Sequence, residues 1–87
     1  MNIVDLRRRL KAFYPKMGEI EFTETVLYVS RRTWNRMARG EAIPCILQIG
    51  RWIDLLSKHD PHAPRTIVIA DRPITFPRVR ADRRSPR

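Results

Sequence analysis

The stretch Ser30-Arg31-Arg32-Thr33-Trp34-Asn35-Arg36-Met37-Ala38-Arg39-Gly40 leaves the chain few options. Ser30 is a strong helix N-cap, because its hydroxyl can accept an orphan amide of the first turn. Gly40 suits the position just past a helix end, where left-handed backbone is common. The two residues therefore bracket one short helix. At roughly 100° per residue, Arg31, Arg32, Asn35, Arg36 and Arg39 fall on one arc, while Thr33, Trp34, Met37 and Ala38 fall on the other. A charged helix face is ordinarily a solvated face, but solvated faces mix signs, and this arc carries four Arg and no acid. Arg matches the O6/N7 edge of guanine and Asn the N6/N7 edge of adenine. The arc thus has the chemistry of a helix that reads DNA bases.

The rest of the composition narrows the partner. With 18 Lys+Arg against 9 Asp+Glu, the net charge is +9. A small domain this basic seeks a polyanion: DNA, RNA or an anionic membrane surface. The excess is mostly Arg, which favours bidentate contacts to phosphate and bases. A hydrophobic content of 43% in 87 residues allows one small core. The single cysteine, Cys45, excludes an internal disulfide and fits a reducing cytoplasm. Cys45, His59 and His62 are too few for a tetrahedral zinc site, so no metal or cofactor is expected. Cys45 reads as a small apolar residue and the histidines as loop residues. The residues from Met1 to Asp5 hold no apolar run of the signal-peptide kind, and no stretch has the length of a membrane span. The expectation is a cytoplasmic, nucleoid-associated protein with no membrane partner. Glu19, Glu21 and Glu24 have no His, nucleophile or metal ligand beside them, so no enzymatic role is expected.

Around the Ser30–Gly40 helix the chain reads as mainly α. Asn2 caps a first helix with Asp5 in its first turn, and Ile3, Leu6, Leu10 and Phe13 form its apolar stripe. Pro15 ends it. A second helix is expected from about Phe22 to Tyr28, despite several good strand formers, because a recognition helix needs a partner packed across it. The three acids near its start could pair with the first helix or hold DNA at its proper distance. Pro44 fits the first turn of a last helix whose apolar face is Ile46, Ile49, Trp52, Ile53 and Leu56. Gly50 inside that helix implies a close helix–helix contact. Trp34 and Trp52 align with apolar neighbours and read as core. Thr66 to Ala70 and Ile74 to Phe76 read as strands joined by Asp71-Arg72-Pro73. One hairpin is marginal alone, so these strands need a surface, and a second subunit offers one.

These residues resemble the Cro/phage-repressor type of helix-turn-helix. The matching positions are Val29-Ser30, Thr33-Trp34, Arg36, Gly40, Pro44 and the apolar run Ile46 to Leu56. The resemblance covers about Ile3 to Ser57. It departs in the first helix of the motif, where the family usually has Leu-Ala and then a Gly in the turn; here stand Phe22-Thr23 and no Gly. An excisionase-like winged type shares the Ser-x-x-Thr recognition helix, but the last helix fits the Cro-like pattern better. The resemblance implies a small repressor of a phage or plasmid that binds a palindromic operator as a homodimer. It also implies a bundle of four to five short helices with a C-terminal strand or hairpin. The expected divisions are a DNA-binding domain at 1–58, a dimerisation extension at 59–77 and a disordered basic tail at 78–87. Ser30, Arg31, Arg32, Asn35 and Arg36 are the expected base-reading residues. Arg39, Arg51 and Lys58 are expected on phosphate, and Ile67, Val68, Ile69, Ile74 and Phe76 at the dimer contact. The alternatives are an antitoxin-like module with a protein partner and a nonspecific nucleic-acid binder.

Overall fold

Local chemistry starts the first helix where the sequence does. In the computed structural model, which describes residues 1–78, α1 runs Ile3–Lys11. Asn2 Oδ1 accepts from the Asp5 amide at 2.8 Å, and the Asp5 carboxylate accepts from the Asn2 amide at 3.1 Å. This reciprocal capping box satisfies two orphan donors at once. Leu6 and Leu10 are buried, but Phe13 is not part of the stripe. The helix ends at Lys11, so Phe13 lies outside it, half-exposed and stacked on His59 at 4.9 Å. His59 is accordingly no loop residue; it is the last residue of the final helix and meets the Tyr14 hydroxyl at 3.1 Å.

The second helix, α2, runs Glu19–Thr25, starting and ending three residues before the expected span. Glu19 and Glu21 sit in its first turn, where the helix dipole favours acids. Its threonines satisfy themselves within the helix. Thr23 and Thr25 donate to the carbonyls of Glu19 and Glu21, at 2.9 and 2.6 Å. The helix stops because Tyr28 takes left-handed backbone (φ 59), which turns the Val29 amide back onto the Thr23 carbonyl at 3.2 Å. A residue with a Cβ pays roughly 1–2 kcal/mol for that conformation. Tyr28 thus occupies a turn position that Gly would fill without strain.

α3 (Arg31–Ala38) has the expected caps. Ser30 Oγ accepts from the Thr33 amide at 3.1 Å, and Gly40 is left-handed at φ 78. α4 (Ile46–His59) begins two residues after Pro44, which the sequence places in its first turn. Cys45 is its exposed N-cap and Pro44 lies before the cap, buried, so neither plays the part expected of it. Ile49, Trp52, Ile53 and Leu56 enter the core, whereas Ile46 and Leu47 face solvent.

A two-stranded antiparallel hairpin, β1 (Thr66–Ile69) and β2 (Arg72–Thr75), closes the described chain. Its turn is Ala70-Asp71, both at positive φ (51 and 64), which suits the right-handed twist of a tight hairpin. Arg72 and Pro73 therefore belong to β2 and not to the turn. Ile67 is 0% exposed and packs into the helical core with Leu6, Leu10 and Ile53. Ile69, Ile74 and Phe76 pack against the same core, half-buried, and only Val68 of the five nominated dimer residues is exposed. The burial that the strands need is thus supplied by their own chain, through α1 and the helical core. Both hairpin edges are also blunted. The Val68 amide donates to the Met1 carbonyl at 2.8 Å. By the ladder's alternation, β2 turns Pro73 and Thr75 outward, and Pro73 has no N–H. Arg65 ties the hairpin to α4, bonding the Asp54 carboxylate at 2.6 Å and the Phe76 carbonyl at 2.7 Å.

Gly50 has a different neighbour from the one expected. A Cβ there would meet the Phe76 ring at 3.5 Å, an ordinary contact with the C-terminal segment and not with another helix. Gly50→Ala should therefore gain helix propensity without a clash, raising stability by about 0.5–1 kcal/mol. Thermal melts should show a rise of a few degrees, and a fall would mean that the Phe76 contact is tighter than drawn. Of the expected 78–87 tail, Arg78 is described and donates to the Pro61 carbonyl at 2.9 Å; residues 79–87 lie outside the described residues.

Candidate nucleic-acid interface

α3 presents its polar arc outward because two large side chains hold the opposite side. Trp34 and Met37 are buried, and the Trp34 ring meets Trp52 edge-on at 6.4 Å. Thr33 and Ala38, expected on the buried side, are exposed, so the anchor is narrower than the sequence suggests. Arg31, Arg32, Asn35, Arg36 and Arg39 are all exposed. Among the described residues, no carboxylate pairs with Arg31, Arg32 or Arg36. Their guanidinium groups are available to an incoming anion.

Arg39 differs from the others. Its Nε and Nη2 bond both oxygens of Glu41, at 2.8 and 3.1 Å. Any phosphate at Arg39 must displace that exposed pair, which is worth little in water. Arg51 borders an open groove of about 980 Å³ with Tyr28, Leu47 and Gln48, next to the turn that leads into α3. Lys58 is exposed two turns further along α4, roughly 10 Å from Arg51 along the axis. It borders neither this groove nor the one between α2 and α3. Arg51 thus borders the α2–α3 turn, and Lys58 does not.

Behind the arc sits a residue that nothing in the sequence singles out. Arg7 reads as surface cover on α1, yet its side chain is only 16% exposed. It donates to the Glu19 carboxylate at 2.7 Å and to Thr23 Oγ1 at 2.9 Å, and its guanidinium lies 5.4 Å from the ring centroids of both Phe22 and Trp34. One side chain therefore joins α1, α2 and α3 and sets how α3 leans on α2. Of the two roles open to the α2 acids, Glu19 takes the first, pairing with α1 through Arg7 and, at 3.9 Å, Lys11. Glu21 and Glu24 remain exposed on α2.

These pairs make a pH prediction. The Arg7 hydrogen bond holds the Glu19 carboxyl below its ordinary value, Arg39 does the same for Glu41, and the Asn2 amide for Asp5. The folded state then binds fewer protons than the unfolded chain as these groups titrate. Their contribution is complete above the ordinary carboxylate range, near pH 4–4.5, and is lost as pH falls through the lowered folded values. Thermal melts between pH 7 and pH 2.5 should show Tm falling below about pH 4. A flat profile would mean the pairs do not persist in solution.

The most conspicuous missed residue is Tyr28, left-handed and 78% exposed just before α3. Its only signal in the sequence is the absence of Gly in the turn. Among the described residues, no group of three or more His, Cys, Asp and Glu is placed to hold a metal ion, and no helix is long and apolar enough to cross a membrane. No protein-family model, curated protein or solved structure matches this chain.

Proposed function

We propose that the protein is a sequence-specific double-stranded-DNA-binding repressor, with α2 and α3 working as a helix-turn-helix of the Cro/phage-repressor type. The observation that carries this is the α3 arc: exposed Arg31, Arg32, Asn35 and Arg36 without acidic partners, on a helix anchored by Trp34 and Met37. α3 enters the major groove N-terminus first, and Ser30, Arg31, Arg32, Asn35 and Arg36 reach base edges and flanking phosphates. Arg51 joins them on phosphate, with Arg39 after release from Glu41. With Glu21 and Glu24 exposed on α2, phosphate attraction comes from α3 and α4. Repression follows from occluding RNA polymerase at an overlapping promoter.

An eight-residue helix reads only a few base pairs, so the same reading includes a homodimer on a palindromic operator. With Ile67 inside its own core, one exposed apolar patch open to a second copy is Val4, Ile43 and Val68. These surround a shallow groove of about 220 Å³ between α1, the α3–α4 loop and β1.

The test is fluorescence anisotropy on two labelled duplexes, at low and near-physiological salt. One carries the DNA upstream of the protein's own gene, the other a shuffled sequence. A preference of about 10³ or more that survives salt supports the proposal. Equal affinities that collapse with salt would leave a nonspecific nucleic-acid binder. Sedimentation at the same concentrations reports whether the bound species is dimeric.

A further inference from the structure

Tyr28 is costly where it stands and does no work for the fold. Its φ of 59 favours Gly, and with 78% of its surface exposed the ring is not packed into the core. The turn itself is held by others: Trp52 Nε1 donates to the Leu27 carbonyl at 3.1 Å, and the Val29 amide to the Thr23 carbonyl. Backbone strain that the fold does not need is a pointer to function. The surroundings indicate which function. Tyr28 borders the 980 Å³ groove opposite the first turns of α4, where Leu47 is 79% exposed and Gln48 and Arg51 supply polar reach. None of the residues bordering the groove is acidic. Tyr28 itself stands two residues before Ser30, the N-cap of α3.

We propose that this groove seats one sugar–phosphate strand of the duplex read by α3, with Tyr28 and Leu47 against deoxyribose and Arg51 on phosphate. The inference rests on the DNA-binding reading and adds Tyr28, Leu47 and Gln48 to the contact surface. Charge complementarity selects the occupant. An acid-free groove that holds Arg51 between exposed apolar walls, beside the turn that leads into α3, matches a strand that alternates anionic phosphate with apolar sugar faces.

The test exploits a change of opposite sign in stability and binding. Tyr28→Gly removes both strain and ring; Tyr28→Ala removes the ring but keeps the Cβ. Both are compared with the unaltered protein by thermal melts and by anisotropy on the two duplexes described above. Tyr28→Gly should melt about 4–8 °C higher, as relief of left-handed strain requires, yet bind both duplexes about tenfold more weakly. Tyr28→Ala should bind as weakly without the gain in Tm. Arg51→Ala should reduce the slope of log affinity against log salt by about 1. If Tyr28→Gly and Tyr28→Ala bind both duplexes as tightly as the unaltered protein, the groove contact is wrong while the α3 reading stands. If the unaltered protein binds neither duplex, both fall. Loss of binding only to vesicles of anionic phosphatidylglycerol, with duplex affinity intact, would overturn the proposal in favour of a membrane surface.

Discussion

Trp52→Ala should unfold much of the protein at ordinary temperature. Trp52 is buried on α4, its ring lies edge-on to Trp34 of α3, and its indole N–H caps the Leu27 carbonyl in the α2–α3 turn. Truncating a buried aromatic to Ala costs about 3–5 kcal/mol. The orphaned Leu27 carbonyl adds about 1 kcal/mol or more if water does not replace the donor. A chain of 87 residues has roughly 4–13 kcal/mol in total, so most of the margin goes. Tm should fall by at least about 15 °C. Trp52→Phe separates the two terms, because it keeps most of the ring and loses only the donor; its expected cost is about 1–3 kcal/mol. Urea melts measure both. A Trp52→Ala variant within about 1 kcal/mol of the unaltered protein would show that α4 does not hold the turn as described.

Arg32→Ala and Asn35→Ala should each weaken binding to the preferred duplex by about 1–3 kcal/mol, roughly 5- to 150-fold, and flatten the preference over the shuffled one. Both side chains are exposed and neither makes a side-chain hydrogen bond or ion pair among the described residues, so thermal stability should barely change. This separates the outcome from that of Trp52→Ala, where binding falls because α3 loses its support. It also separates base readout from simple charge. Asn35 carries no charge, so a loss at Asn35 cannot come from weaker phosphate attraction. If both variants keep affinity and base preference, α3 is not the reading helix.

The features legible in the sequence are those whose causes lie within a few residues. Asn2 with Asp5, and Ser30 with Thr33, satisfy orphan amides inside a single turn, so the starts of α1 and α3 follow from the residues at hand. Gly40 ends α3 for the same local reason. The inward line of Ile49, Trp52, Ile53 and Leu56 along α4 follows from helical period alone, as does the burial of Leu6 and Leu10. The β-branched run Thr66 to Ile69 marks the hairpin, although its turn falls at Ala70-Asp71, where no Gly or Asn announces it. The exposed Arg and Asn arc was legible because solvent needs no partner to be named.

What the sequence left open depends on which distant group arrives. Arg7 resembles its neighbours Arg8 and Arg9 until Phe22, Trp34 and Glu19 close around it. Phe13 and Ile46 share an apolar period with the core yet lie where the fold brings little or nothing over them. Ile67 looked in need of a second subunit because a hairpin cannot bury its own face; α1 and the helical core bury it, and no local pattern specifies that contact. By itself the sequence determined that helices dominate, the caps of α1 and α3, and the basic arc, since hydrogen bonds within a turn and a 3.6-residue period are complete in a short window. Only the tertiary structure decided the left-handed Tyr28, the groove beside it and the covered hairpin, because burial is a property of surfaces that meet and not of either surface alone.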